Sequence, residues 1–301
     1  MIIDAEVRIW PRTFSPRMRE AISNEDIVHR KIIDHPLGTK AMDLAEPERI
    51  RRSISGAGIG HALIRGVFWK NPDLCMEHTA ELVGISRESP DLFTPVAVMP
   101  APTATDPLET IKHYHRDLGL RIVEFIPSWQ GYAIDDRRVF PALEYAEKEN
   151  LIVAIETDHF FRDPATIDTV SSAFKVFREF PRLSVLLPHL GGGFFLYYFN
   201  EDLVRCFDNL YFVTSVPKTP QWIKIASEIL PEDRVVFGTD HPFNFDLSQE
   251  NLMRAVRELP IGEARRSKIL GGTVKRLLND RGLGPFQANE ALKSPNPGTP
   301  C

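Results

Sequence analysis

Arg234-Val-Val-Phe-Gly-Thr-Asp-His-Pro-Phe243 is the stretch whose reading decides the fold of this chain. Val235, Val236 and Phe237 make a short apolar, β-branched run of the composition that a strand buried on both faces needs. Gly238 and Thr239 lead directly to Asp240, and Pro242 ends regular pairing. A carboxylate is therefore left at the carboxyl end of a buried strand. In an α/β barrel that end carries the chemistry. Taken alone, Asp240 could equally cap the next segment, so the weight falls on the rest of the chain.

Working outward, seven further apolar runs of strand length recur. They are Ile2 to Ile9, His61 to Gly66, Phe93 to Met99, Leu120 to Ile126, Leu151 to Glu156, Leu183 to Pro188 and Leu210 to Thr214, and with Arg234 to Asp240 they make eight. Between them, Glu48 to Ile54, Arg138 to Ala146 and Ala165 to Phe174 place apolar residues at three- and four-residue steps, the one-sided pattern of a helix lying on a sheet. Eight strands alternating with helices predict an α/β protein of the (β/α)8 TIM-barrel type. An open doubly wound sheet shows the same alternation, but no G-x-G-x-x-G follows an early strand.

A chain of 301 residues, 43% hydrophobic and 26% charged, is long enough to bury one large core. The barrel is expected to span residues 1–283 as a single domain. A net charge of -5 gives no electrostatic reason to expect nucleic acid or an acidic membrane as partner, which leaves a small-molecule substrate. Cys75, Cys206 and Cys301 are widely spaced, with no C-x-x-C pair, and suggest neither a disulfide framework nor a thiolate zinc site. The first eight residues carry charges where a signal peptide would be apolar, and no run approaches membrane-spanning length. A cytoplasmic protein is expected. Residues 10–46, rich in Pro, Arg and His, far exceed an ordinary βα connection and read as a lid-like insertion after strand one; a plug or a subunit contact is the structural alternative. Residues 284–301, with their Ser-Pro-Asn-Pro-Gly-Thr-Pro run, are expected to be a disordered tail.

In a barrel the strand ends converge although they are distant in sequence. Strand one ends in Asp4-Ala-Glu6-Val-Arg8, whose period of two puts Glu6 and Arg8 on one face. Strand five ends at Glu156 and is followed by His159, strand six at His189, and strand eight at Asp240 and His241. Each has a bland reading: Glu6 with Arg8 as a structural ion pair, His189 as a satisfied core histidine. Their joint arrival at one end points to a site. Trp10, Trp69, Phe125, Trp129, Phe160, Phe161, Phe194, Phe195 and Phe243 are candidates for an aromatic mouth, although any one of them is more often packing.

Five segments in register, Ile3-Asp-Ala-Glu-Val-Arg8, Pro188-His-Leu-Gly-Gly192, Asn209-Leu-Tyr-Phe-Val-Thr-Ser215, Phe237-Gly-Thr-Asp-His-Pro-Phe243 and Ile269-Leu-Gly-Gly-Thr-Val-Lys-Arg-Leu-Leu278, resemble the amidohydrolase-2 family. This is the branch of the amidohydrolase superfamily that includes aminocarboxymuconate-semialdehyde and resorcylate-type decarboxylases. The resemblance implies a distorted (β/α)8 barrel, one divalent metal, and decarboxylation, hydrolysis or hydration of small carboxylated aromatic or muconate-like compounds. It also implies a homodimer. Fold and family do not choose among these reactions.

This chain departs from the family pattern at two positions. The family has His-x-His, or Glu-x-His, at the end of strand one; here Glu6 is followed by Arg8, and a guanidinium cannot ligate a metal. The family's strand-five histidine corresponds to Glu156. Glu6, Glu156, His189 and Asp240 could still hold one hard cation such as Mn²⁺ or Mg²⁺, or Zn²⁺, but Arg8 would lie beside it, and a metal-free pocket is favoured. The preferred reading is a carboxy-lyase, with Asp240, His189, Arg8 and Glu156 catalytic, Arg8 gripping a substrate oxygen, and Trp10, Trp129, His159 and His241 around the substrate. A hydrolase of an ester, lactone or amide, and a non-catalytic binding relative, are the alternatives.

Overall fold

The structure, a computed structural model, describes residues 1–12, 20–21, 38–67, 69–157, 169–200, 208–215, 220–244 and 248–283. His159, Phe160, Phe161, most of the insertion and the expected tail at 284–301 lie outside the described residues. All eight predicted runs form strands: Ile3–Arg8 (β1), His61–Arg65 (β2), Phe93–Val98 (β3), Ile122–Phe125 (β4), Ile152–Ile155 (β5), Ser184–Leu187 (β6), Leu210–Val213 (β7) and Val235–Val236 (β8). They lie in sequence order in one sheet, with every neighbouring pair parallel.

Closure falls on the stretch that follows β8. Ala5 donates its N–H to Phe237 O at 2.9 Å, Asp240 to Glu6 O at 2.8 Å and Arg8 to His241 O at 2.9 Å. The eighth strand therefore continues to pair past its regular part, which removes the open edge that a sheet must otherwise protect.

Two of the helices begin where the chain supplies both a capping side chain and a residue that needs no donor. Asn71 accepts from Asp73 N at 3.0 Å ahead of Pro72–Glu88, and Asp106 accepts from Leu108 N at 2.9 Å ahead of Pro107–Lys112. Helices at Pro47–Gly56 and Gln249–Glu258 turn Ile50, Ile54, Leu252 and Val256 onto the outside of the barrel. Inside, Ala5, Leu63, Val96, Ile122, Ala154, Leu186, Val213 and Val236 pack together, and Val274, Leu277 and Leu278 of the helix Thr273–Asn279 join them. Each large side chain buried in this way contributes about 1.5–3 kcal/mol.

Gly238 is required by close approach. A Cβ there would stand 2.2 Å from Val213 Cγ1 and 3.3 Å from Glu6 Cβ, so β8 could not sit between β7 and β1. Gly238→Ala is expected to cost about 1–3 kcal/mol through overpacking. Urea unfolding would read it, and an unchanged midpoint would contradict this account of the close packing.

The ends of the insertion meet: Trp10 N donates to Ala45 O at 3.0 Å, beside a short helix, Gly38–Leu44. Trp10 packs with Ala21, Ala45, Trp69 and Cys75, against Phe243 at a ring separation of 6.1 Å. The aromatic mouth expected from the sequence is only partly assembled. Phe125 follows inward-facing Glu124 and so faces the helix layer, while Phe194 packs against Phe174 at 4.4 Å in a tilted pair and Phe195 meets Trp222 edge to face at 6.0 Å. These three rings are core, because strand parity and the turn after β6 direct them outward. Among the described residues no helix is long and apolar enough to cross a membrane.

Candidate active site

On strand after strand the inward-facing residue changes from apolar to ionisable toward the carboxyl end. Ile122 gives way to Glu124, Leu63 to Arg65, and Ala154 to Glu156. On β1 the register slips by one residue between Asp4 and Val7, so that Ala5 joins the barrel interior and Glu6 and Arg8 follow it into the site, while Val7 faces the helices. Sequence parity had placed Glu6 and Arg8 on one face, and they are indeed together.

His189 and Asp240 reach the site through the left-handed region, with φ of 56° and 54°. Leu190 and Gly191 to Gly193 continue the left-handed turn after His189, and the glycines adopt it without steric cost. Non-glycine residues held at positive φ cost about 1–3 kcal/mol each and persist where the surroundings impose them. Here His189 N donates to Ser215 Oγ at 3.0 Å, and Asp240 N is held by Glu6 O at 2.8 Å. Beneath Asp240, Asp4 accepts from Thr239 N at 3.0 Å and Thr239 Oγ1 at 2.6 Å.

Arg8 stands at the centre. Its Nε donates to Asp240 Oδ1 at 3.0 Å, Nη1 to Gly66 O at 3.2 Å and Glu124 Oε2 at 3.3 Å, and Nη2 to Glu6 Oε1 at 3.3 Å and Glu124 Oε1 at 3.4 Å. Glu156 Oε2 lies 4.0 Å from Nη2. A guanidinium has five N–H donors, and all five are committed. The expectation that Arg8 would grip a substrate oxygen is therefore corrected: with no free donor, it acts as a counter-charge. Burial alone would lower its pKa, but Glu124, Asp240, Glu6 and Glu156 hold it above the ordinary value.

Arg65 and Glu124, which the sequence reading did not single out, complete the cluster. Arg65 Nη1 donates to Glu124 Oε1 at 2.6 Å and Nη2 to Ala5 O at 2.7 Å. The available signal was a charged residue at an inward position of an otherwise apolar strand. Ser215 was also missed as a site residue. Its hydroxyl donates to Glu6 Oε2 at 2.5 Å and faces His189 Nδ1 at 3.2 Å.

The Ser215 hydroxyl donates to Glu6 Oε2, while His189 Nδ1 stands 3.3 Å from Ser215 O and Nε2 stands 3.2 Å from Glu156 Oε2. Burial and the charge of Glu6, opposed by Arg8 and His189, push Asp240 up to about 7. Four carboxyl groups, those of Glu6, Glu124, Glu156 and Asp240, thus share two guanidiniums.

Glu6, Glu156 and His189 each offer a ligand atom, all within 4.8 Å of one another, so the donor types for a divalent ion are present; Asp240 falls outside this group. The test of fit goes against a resident ion. Glu6 Oε1 is held by Arg8 and Oε2 by Ser215, and His189 Nε2 is turned onto Glu156. Each donor is already engaged, and a guanidinium sits among them.

Trp129 is half-buried over Val98 and Ile126, beyond the ends of β3 and β4, and Trp10 is buried at the base of the insertion. His241 follows Asp240, its N–H donating to Thr239 Oγ1 at 3.1 Å, and burial pushes its imidazole down to about 4, so it is neutral.

With this geometry in place, three kinds of comparison bear on the chain. The family model described as amidohydrolase matches residues 3–279. The 2-amino-3-carboxymuconate-6-semialdehyde decarboxylase of Dictyostelium discoideum is 23% identical over 256 residues, covering 72% of this chain and 70% of that protein. The 5-carboxyvanillate decarboxylase of Sphingomonas paucimobilis superposes with a TM-score of 0.75 at 18% identity, covering 92% of this chain and 98% of the other. The corresponding decarboxylase of Novosphingobium aromaticivorans, solved with manganese and 4-hydroxy-3-methoxy-5-nitrobenzoic acid, gives a TM-score of 0.75 at 15% identity, covering 93% and 96%.

Proposed function

The chain belongs to the amidohydrolase family, and on that premise we propose that it is a carboxy-lyase acting on a small carboxylated aromatic or unsaturated compound. The observation that carries the reading is the placement of Asp240, a buried carboxyl group just beyond β8, held over Glu6 O by its N–H at 2.8 Å and 3.0 Å from Arg8 Nε, where burial pushes its pKa up to about 7. Protonating the carbon that bears the carboxylate is what decarboxylation of such a compound requires. Asp240 gives its proton to that carbon, the electron pair of the breaking C–C bond returns to the π system, and carbon dioxide leaves. The Asp240 carboxylate then formed lies 3.0 Å from Arg8 Nε, which stabilises it before solvent returns the proton. On this reading the site works without a resident divalent ion.

The relatives that decarboxylate carboxylated substrates support this reading over the hydrolase and the binding protein. The experiment is a panel of hydroxylated benzoates and muconate-like acids assayed for carbon dioxide in D₂O. Stoichiometric release, with deuterium on the vacated carbon, is expected. Water incorporation without carbon dioxide would make the enzyme a hydrolase, and saturable binding without turnover would make the chain a binding protein. Because the insertion leaves and returns beside the site, bound substrate analogue is expected to slow hydrogen exchange across residues 10–46. Exchange unchanged by the analogue would leave the segment a structural plug.

A further inference from the structure

We propose that Arg8 takes the place of the divalent ion in this barrel, so that the wild-type site holds no stoichiometric metal. The inference concerns the same site as the carboxy-lyase reading but does not depend on the reaction, and its experiment reads metal rather than turnover.

A neighbour with the same fold was solved with manganese, and three donor groups of suitable type gather here. What differs is the content of the space between them. Arg8 Nη2 stands 3.3 Å from Glu6 Oε1 and 4.0 Å from Glu156 Oε2, and Nε stands 3.0 Å from Asp240 Oδ1. These are the oxygens that a cation would gather. One cation already gathers them, and it cannot be displaced by rotating away. Glu124 holds both terminal nitrogens of Arg8, and Arg65, itself fully buried, holds Glu124 at 2.6 Å and reaches Glu6 at 3.6 Å. A divalent ion entering beside Glu6 would face two guanidiniums in a medium that screens poorly, and His189 Nε2 is already turned onto Glu156 Oε2 at 3.2 Å.

The guanidinium does only half of what an ion does. It assembles and neutralises the carboxylates, but with five N–H groups committed it offers no open position to a substrate oxygen.

The test uses the full-length protein purified without a metal-affinity step. Elemental analysis of the wild type is expected to find far less than one Mn, Zn or Fe per chain, and titration with Mn²⁺ or Zn²⁺ in a calorimeter should show no saturable one-to-one binding. Arg8→His replaces a group that cannot ligate with one that can, and is expected to gain one tightly held Mn²⁺ or Zn²⁺ per chain. A stoichiometric ion in the wild type, or saturable one-to-one uptake by it, would overturn the proposal. So would a folded Arg8→His protein that takes up no ion. If that variant does not fold, the wild-type measurement decides alone.

Discussion

Asp240→Asn is expected to lower turnover by about 10²–10⁴-fold, the usual worth of a general acid. The amide keeps the shape of the carboxyl group and can still accept from Arg8 Nε, now 3.0 Å from Asp240 Oδ1, so the fold should survive. The pH profile supplies a second reading. The donor is the protonated form, and burial together with Glu6 holds that proton on up to about pH 7, so the parent's rate should fall as pH rises through about 7. That alkaline limb should vanish in the residual activity of the variant. Equal turnover in parent and variant, or the same limb in both, would remove Asp240 from the chemistry.

Arg8→Ala is expected to be the most destabilising single change at the site, at about 3–5 kcal/mol, because it leaves buried carboxylates without their counter-charge. Glu6, Glu124 and Glu156 are buried and Asp240 nearly so, and all four face the one guanidinium. Replacing the side chain also frees the Gly66 carbonyl, which accepts from Nη1 at 3.2 Å. Arg8→Lys should recover part of the loss: an ammonium keeps the charge, but its three donors cannot span the two edges over which Arg8 serves Asp240, Glu124 and Glu6. Denaturant unfolding of the three proteins measures both differences. A loss below about 1 kcal/mol in Arg8→Ala would mean that the carboxylates simply take up protons when the guanidinium goes, contrary to the buried-charge argument.

The two experiments separate the roles of neighbours in contact. Asp240 is expected to matter for rate with little effect on stability, and Arg8 for stability first, since its donors are spent on the protein itself. Effects of such close residues will not add, and a double variant should fall short of the sum.

The sequence by itself determined the barrel. Eight short β-branched runs separated by amphipathic segments leave few other ways to bury both faces of every strand, and all eight runs became strands in sequence order. It also placed Glu6 and Arg8 on one face, because side-chain direction along a strand has a period of two, and set Glu156, His189 and Asp240 at the ends of their runs. What only the tertiary structure decided is what these groups do to one another. Arg65 and Glu124 look like ordinary charges in strand runs until β1, β2 and β4 bring Arg65 to 2.6 Å from Glu124 and 3.6 Å from Glu6, and Glu124 to 3.3 Å from Arg8. Whether Arg8 had a donor left for substrate depended on those distances, which no local pattern encodes. The same holds for Phe125, Phe194 and Phe195, whose type suits a mouth or a core equally well. Periodicity assigns a residue to a face, but charge balance and donor counts arise only where strands distant in sequence close around a common axis.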